Sequence, residues 1–482
     1  MPFFYSSDTR KKILLNSALF LLVTIAALAM LSPTYRAFFK VVISCNEGWN
    51  AFFGAAAIHT GTPYPPPEEL ITNNYPPLSF YFVGYLGSLL GDLILAGRLI
   101  SLLSVCFLGL FIGKLIKQLG GNSRDAIVGG AFFIATMGLF FSKYVGMNDP
   151  QLLAQCIMLG GTLLFLKALA QERTPWAGLA VMVIAGFFKH NIIMLPASVL
   201  LWLLLRGEKK MFAKCLLFAA SFIAAGFMLC YWCYGHDFIF NFFPSRRILI
   251  SKGPLVLLDL SCILLPAIVA FSILWKKRGN QGALLILIMI VIGSIVNFLQ
   301  RIGSGVSINA QFDLNIAVAT AVGLAFHFLS DPSFSWKKIS TGTLQLSFLL
   351  VLLLPFLCAP ELHTLPHVFS RSFYQDARRR ETIVLQEAQR IHDIPGDVFC
   401  ENSICYRAGK PFVVDFFNIN ERMKTGTISP YAVTDRIKNH LLTKVICNPD
   451  ITWPSAPKNF LDKLKAPFRH STTFEECCSQ SR

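Results

Sequence analysis

The chain has 482 residues, of which 54% are hydrophobic and only 15% are charged, and its mean hydropathy is +0.55. Because a soluble domain needs about 25% charged residues on average, this composition excludes a secreted disulfide scaffold, a disordered chain and a soluble DNA-binding protein. The formal net charge of +16 indicates basic cytoplasmic loops and lipid phosphates as partners rather than nucleic acid. The sequence therefore predicts an integral membrane protein.

Eleven apolar segments approach the roughly 20 residues that a straight helix needs to cross a bilayer core. They are 13–31, 93–112, 126–141, 151–169, 176–188, 192–205, 211–234, 255–275, 283–299, 312–329 and 341–357. The fifth and sixth are short and meet at Lys189, His190 and Asn191. This pattern predicts two short helices that other helices enclose.

A twelfth apolar segment, 78–90, follows Tyr75-Pro76-Pro77 and contains Gly84 and Gly87. If it does not cross the membrane, about twice as many lysines and arginines lie on the inner loops as on the outer ones. If it crosses, the ratio is reversed, against the positive-inside rule. We therefore expect a juxtamembrane helix at 78–90, a cytoplasmic N-terminus and a first span retained as a signal anchor.

With eleven crossings, the transmembrane domain comprises residues 1–360 and the hydrophilic residues 361–482 lie outside. The tail contains a polar helical stretch at 378–392 and short apolar runs at 397–400, 411–417 and 444–447, which together predict a small extracytoplasmic α/β domain. Its five cysteines would face an oxidising compartment. Cys400 and Cys405 are the favoured disulfide pair, because they are the ones that flank a tight turn.

In this topology the unusual polar residues fall on the outer face. They are Asn46 and Glu47 after the first span, Asn148 and Asp149 before the fourth, Lys189 and His190 between the short helices, and Arg246 and Arg247 in the 235–254 loop. A carboxylate there could serve as a general base, and the cations could neutralise a phosphate leaving group.

Each of these groups also has a purely structural interpretation. Glu47 could be a solvated loop acid, and Asp149-Pro150 could cap the fourth span. Lys189 could extend to the membrane interface, and Arg246 with Arg247 could hold lipid headgroups. Taken together, the groups favour an enzyme that uses a lipid-linked phosphate donor.

In their order and placement, these motifs resemble the membrane-embedded GT-C glycosyltransferases. The resemblance is closest to the bacterial group that includes the aminoarabinose transferase of lipid A, Rgt-type lipopolysaccharide glycosyltransferases and protein O-mannosyltransferases. It covers about residues 10–330 and rests on Asn46-Glu47-Gly48-Trp49, Tyr75-Pro76-Pro77, Asn148-Asp149-Pro150, Phe188-Lys189-His190 and Asn309-Ala310-Gln311-Phe312-Asp313. It implies an all-α polytopic fold with about eleven transmembrane helices and outer juxtamembrane helices.

The resemblance also implies a polyprenyl-phosphate sugar as donor and an inverting single-step transfer at the outer face. Glu47 would be the principal catalytic carboxylate, and Asp149 would support it or position the acceptor. Lys189 would bind the donor phosphate together with Arg246, Arg247 or Arg301, and Asn46, Asn148, His190 and Tyr75 would support the site. Many members have Asp-Glu where this chain has Asn46-Glu47, which leaves the identity of the base open. No cofactor is required, although carboxylates from separate loops could bind a divalent cation.

The sequence thus predicts a glycosyltransferase of the bacterial plasma (inner) membrane that acts on a cell-envelope glycolipid, polysaccharide or protein. A flippase of lipid-linked sugars is the alternative from another class, but such a protein more often has an internal repeat and polar residues at the bilayer midplane. A polysaccharide polymerase or ligase is a third hypothesis. If the first is right, Glu47, Asp149 and Lys189 should converge on one cavity, and Glu47→Gln should abolish transfer without loss of expression.

Overall fold

The computed structural model describes residues 7–332, 339–359, 362, 368–433 and 444–445. In the membrane domain, the α-helices are α1 (Ser7–Ala29), α2 (Leu31–Ala37), α3 (Cys45–His59), α4 (Leu78–Leu90), α5 (Leu93–Gln118), α6 (Ser123–Phe140), α7 (Gln151–Ala170), α8 (Trp176–Gly186), α9 (Met194–Leu205), α10 (Lys209–Phe242), α11 (Gly253–Asp259), α12 (Ser261–Lys276), α13 (Gln281–Arg301), α14 (Phe312–Phe328) and α15 (Thr341–Leu357). Short 3-10 helices span Ile250–Lys252 and Ile308–Gln311.

Each of the eleven predicted segments is helical, so the expected all-α polytopic membrane fold is confirmed. Seven helices of the described chain are long and apolar enough to cross a membrane. The predicted segment 255–275 is not one straight helix, because the stretch Ile250–Asp259 and α12 are bent by 72°. The helices α8, α9 and α15 are shorter, and they pack against α7, α13 and α1 respectively.

Of the seven long apolar helices, α14 is the most buried: 94% of its most apolar stretch lies inside the protein. It packs against α6, α12 and α13, and small residues allow the close contact with α6. A Cβ on Gly129 of α6 would lie 2.8 Å from the carbonyl oxygen of Ala319, so no larger residue fits there. By contrast, only 6% of the most apolar stretch of α10 is buried, which places this long helix at the edge of the bundle.

Two short helices, α3 and α4, lie between the first two predicted spans. As predicted, Leu78–Leu90 is a short helix, and it ends at Gly91 in the left-handed conformation. Glu47 does not lie in a solvated loop, because it belongs to the helix α3, whose first turn is capped by the Ser44 side chain. The two helices pack closely where Gly54 meets Gly84. The helix α3 therefore holds its polar residues rigidly instead of in a mobile loop.

Three helices of the tail lie entirely within the described residues, α16 (Arg371–His392), α17 (Asn402–Arg407) and α18 (Phe416–Lys424). Val398–Phe399 pairs in parallel with Lys444–Val445, so two of the three predicted apolar runs contain strand residues. Cys400 and Cys405 form a disulfide, as the sequence predicts. The other tail cysteines, Cys447, Cys477 and Cys478, lie outside the described residues, and a complete α/β domain stays a prediction.

Candidate active site

Glu47 lies on α3 and is completely buried. Its two carboxylate oxygens accept hydrogen bonds from Arg98 on α5, Nε to Oε1 at 2.7 Å and Nη2 to Oε2 at 2.6 Å. The backbone N–H groups of Ile43 and Asn148 each add a bond of 3.2 Å. Arg98 also donates to the carbonyl oxygen of Phe39 at 2.6 Å. Because this network occupies both oxygens, Glu47 has little capacity left for a substrate hydroxyl.

The neighbouring residue, Asn46, lies on a different face of α3. Helical spacing puts it beside Trp49 and Asn50. Trp49 contacts the ring of Tyr75 at 4.9 Å between centroids, and Asn50 donates to the carbonyl oxygen of Asn148 at 2.9 Å. Position 46 therefore lies on the face of α3 that contacts Tyr75 and Asn148. An amide at that position cannot act as a general base.

Asp149 lies in the turn before α7 and is only 7% exposed. Its Oδ1 accepts a hydrogen bond from the backbone N–H of Gln151 at 2.9 Å, while its Oδ2 is buried with no hydrogen-bond partner among the described residues. Pro150, and not Asp149, is the N-cap residue of α7. The aspartate thus supports the start of the helix with one oxygen and keeps the other available. The adjacent Asn148 donates from its side chain to the Glu47 carbonyl oxygen at 3.1 Å, which fixes this turn against α3.

Lys189 lies in the turn between α8 and α9, as the sequence predicts, and is 3% exposed. Its ammonium is 3.2 Å from the centroid of the Tyr75 ring, a cation–π contact. Within the described part of the chain, Nζ has no hydrogen-bond partner. Burial lowers the pKa of Lys189 to about 8, and the negative charge of Asp149 partly opposes this shift.

Tyr75, whose ring contacts the Lys189 ammonium, is firmly held. Its backbone carbonyl accepts from the Tyr64 hydroxyl at 3.0 Å, and its N–H donates to the Asn73 side chain at 3.0 Å. Burial raises the pKa of the Tyr75 phenol, and the charge of Asp149 raises it further, so the ring stays neutral. Tyr75 therefore fixes the position of Lys189, on which the charge of Asp149 acts.

The three arginines predicted to bind phosphate differ in their partners. Arg247 pairs with the Glu421 carboxylate, with Nη2 and Oε1 2.8 Å apart, and Arg301 forms a salt bridge with Asp259. Arg246 is bound by a neutral group, because its Nη2 donates to Asn418 Oδ1 at 2.6 Å. Its Nη1 is buried without a hydrogen-bond partner among the described residues.

The structure brings most of the predicted residues into one region. Asn148 joins Glu47 to Asp149, and the charge of Asp149 acts on both Lys189 and Tyr75. The charge of Arg246 also reaches Tyr75. The His190 ring contacts that of Phe242, with 5.1 Å between the centroids, and the charges of Lys189 and Arg246 act on it. Among the described residues, no group of three His, Cys, Asp or Glu could hold a metal ion.

Two features of this region were missed in the sequence. Arg98 is an arginine inside an apolar span, and such a residue signals function or a buried partner. The other is the contribution of the tail, since Asp415 accepts from the Trp49 indole N–H at 3.1 Å. No local pattern could reveal this contact, because the two residues are 366 positions apart.

Residues 74–232, about a third of the chain, match the family model of dolichyl-phosphate-mannose-protein mannosyltransferase. The structure is similar to that of ArnT from Cupriavidus metallidurans bound to undecaprenyl phosphate, with a TM-score of 0.59 and 14% sequence identity over 89% of this chain and 93% of that chain. It is also similar to the oligosaccharyltransferase AglB from Archaeoglobus fulgidus in complex with an inhibitory peptide and a dolichol-phosphate, with a TM-score of 0.55 and 11% identity over 92% of this chain and 70% of that one. No curated protein matches the sequence significantly.

The chain therefore has the fold of the GT-C membrane glycosyltransferases. The resemblance drawn from its motifs is confirmed at the level of the fold, and the match extends beyond residues 10–330 because it includes most of the chain. The protein is a multi-pass membrane protein with this fold.

Proposed function

We propose that the protein is a glycosyltransferase that moves one sugar from a polyprenyl-phosphate donor to a hydroxyl of a cell-envelope acceptor. The reaction would take place at the outer face of the bacterial inner membrane, with the N-terminus in the cytoplasm. The acceptor would be a glycolipid, a polysaccharide or a protein. A polyprenyl-phosphate donor is supported by the match to the dolichyl-phosphate-mannose-protein mannosyltransferase family and by the undecaprenyl phosphate bound to ArnT.

The observation that carries this proposal is the state of two atoms, Lys189 Nζ and Asp149 Oδ2, which interact electrostatically but form no salt bridge. Both atoms belong to ionisable groups and are buried, yet neither has a hydrogen-bond partner among the described residues. Leaving such groups buried without partners is costly, so their persistence favours a substrate that binds both. A sugar phosphate with an incoming hydroxyl has the required complementary groups.

In the proposed step, Asp149 Oδ2 accepts the proton of the acceptor hydroxyl as its oxygen attacks the anomeric carbon. The bond from that carbon to the phosphate oxygen breaks, and polyprenyl phosphate leaves with the electron pair. Lys189 and Arg246 stabilise the charge that accumulates on the phosphate. The attack comes from the face opposite the leaving group, so the anomeric configuration inverts. In this proposal Lys189 and Arg246 neutralise the phosphate, and the step includes no metal ion or cofactor.

This assignment divides the predicted residues by their contacts. Asp149 takes the role of base, and Glu47 with Arg98 holds α3 and the 144–150 turn in place. Tyr75 orients Lys189. Arg247 and Arg301 are compensated by carboxylates, so they are assigned to the architecture around the site.

The affinity for undecaprenyl phosphate is expected to fall as the pH rises above about 8, the pKa of Lys189. Below that pH the ammonium is charged and binds the phosphate, and above it the affinity decreases by about tenfold per pH unit until the raised pKa of the complex is reached. Binding should be measured from pH 7 to pH 10, with Lys189→Arg as the matched control. The guanidinium stays charged throughout, so this variant should bind with little pH dependence. A wild-type affinity that does not change over this range would exclude Lys189 as the phosphate ligand.

The proposed function itself is tested by comparing envelope glycans from cells with and without the protein. We expect loss of a single sugar residue from one class of envelope glycan, detected by mass spectrometry. Loss of a whole preassembled chain would instead favour a polymerase or ligase.

A further inference from the structure

The helix α18 of the tail lies against the outer loops of the membrane domain. The backbone N–H of Asp415 donates to the Leu70 carbonyl at 2.7 Å. The ring of Phe417 contacts the Arg246 guanidinium, 4.8 Å from its centroid, and packs so closely on Gly305 that a Cβ there would lie 2.0 Å from the ring. This part of the tail is therefore docked directly beside the proposed phosphate site.

A continuous chain of hydrogen bonds crosses the contact between the tail and the membrane domain. The Trp49 indole N–H donates to Asp415 Oδ2 at 3.1 Å, and Asn418 Nδ2 donates to the same oxygen at 2.5 Å. Asn418 Oδ1 in turn accepts from Arg246 Nη2 at 2.6 Å. The amide of Asn418 is thus placed between a carboxylate and a guanidinium, and its orientation satisfies both.

The neighbouring arginine shows why an amide matters at this position. Arg247 is paired with the carboxylate of Glu421, which compensates its charge. Arg246 is bound through the neutral Asn418 and forms no direct salt bridge within the described chain, although the charges of Asp415 and Glu421 act on it from a greater distance. Its second terminal nitrogen, Nη1, is buried with no hydrogen-bond partner within the described chain, and the charge of Arg246 reaches Tyr75 beside Lys189.

We propose that Asn418 is a positioning residue for the donor phosphate: it fixes the Arg246 guanidinium so that Nη1 faces the phosphate beside Lys189. The tail thereby completes the donor site of the membrane domain. This inference rests on the proposed function, because it assumes that the ligand at Lys189 is a polyprenyl phosphate.

The physical reason is preorganisation. A free arginine side chain has many rotamers, and restricting them before binding removes part of the entropic cost of binding. Asn418 provides this restriction without adding a negative charge next to the phosphate. Asp415 fixes Asn418 in turn, since its Oδ1 also accepts the backbone N–H of Asn418 at 3.0 Å.

The test is a double-mutant cycle on the affinity of the purified full-length protein for undecaprenyl phosphate. Asn418→Ala is expected to weaken binding by about tenfold, the range for losing one hydrogen bond to a charged group. Arg246→Gln should weaken it at least as much. In the double variant, the loss should equal that of Arg246→Gln alone, because Asn418 acts only through Arg246. Asn420→Ala is the matched control, since Asn420 is a buried asparagine on the same helix, and it should leave the affinity unchanged.

Two results would overturn the inference. An unchanged affinity in Asn418→Ala would mean that Arg246 needs no positioning by the tail. Additive losses in the double variant would mean that Asn418 affects binding through the general fold. Lys189→Gln separates this inference from the proposed function. If Lys189→Gln loses binding and Asn418→Ala does not, only the role of Asn418 is wrong. If Lys189→Gln binds normally, the donor site is misplaced and both proposals fail.

Discussion

Asp149→Asn is expected to lower the rate of sugar transfer by about 10²- to 10⁴-fold, the usual contribution of a general base. The substitution keeps the size of the side chain, and the amide oxygen can still accept the N–H of Gln151, so the start of α7 should be retained. Only the free carboxylate oxygen is lost. The rate should be measured with purified protein in vesicles supplied with donor and acceptor, and the affinity for undecaprenyl phosphate should be measured in parallel.

Glu68→Gln is a suitable control for Asp149→Asn, because it removes an exposed carboxylate from the segment between α3 and α4. It should transfer sugar at the wild-type rate. If Asp149→Asn also retains most of the wild-type rate while the donor is bound normally, Asp149 is not the base. Glu47 on α3 would then be the next candidate for the base.

Glu47→Gln is expected to destabilise the protein by about 3–5 kcal/mol, because it leaves the buried guanidinium of Arg98 without its counter-charge. This differs from the expectation drawn from the sequence, where the same substitution abolishes transfer with expression intact. The structural reason is that Glu47 and Arg98 are 0% and 2% exposed and form two direct hydrogen bonds. Thermal unfolding in detergent and the yield of folded protein would measure the effect.

The double variant Glu47→Gln with Arg98→Met should recover part of the lost stability. It removes the charge that the single substitution leaves uncompensated, and this coupling is typical of buried ion pairs. A Glu47→Gln protein that unfolds at the wild-type temperature but transfers no sugar would show that Glu47 takes part in the chemistry.

The fold was predictable from the sequence because membrane helices depend on local composition. Runs of apolar residues are needed to cross the bilayer, and each predicted run is a helix in the structure. The bend of 72° before α12 was not predictable in this way, since an apolar segment has the same composition whether it is straight or bent. The helix α3 was missed because its polar first turn resembles a loop.

The candidate site was predictable only in part. Ionisable residues at membrane depth are costly, which pointed to Lys189, whereas Asp149 was found from its place in the turn before the fourth span. Which carboxylate is available depends on pairing, and Arg98, the partner of Glu47, lies 51 positions away in the chain. The contacts of Arg246 with Asn418 span 172 positions. Such long-range pairs arise from packing, and one sequence contains no direct signal for them.

The most direct test of the proposed function is a transfer assay with the protein in vesicles, a polyprenyl-phosphate sugar of known anomeric configuration and an envelope acceptor. We predict one molecule of polyprenyl phosphate released per sugar transferred, with the opposite anomeric configuration in the product. Movement of the lipid-linked sugar across the vesicle membrane without any transfer would contradict the proposal and identify a flippase.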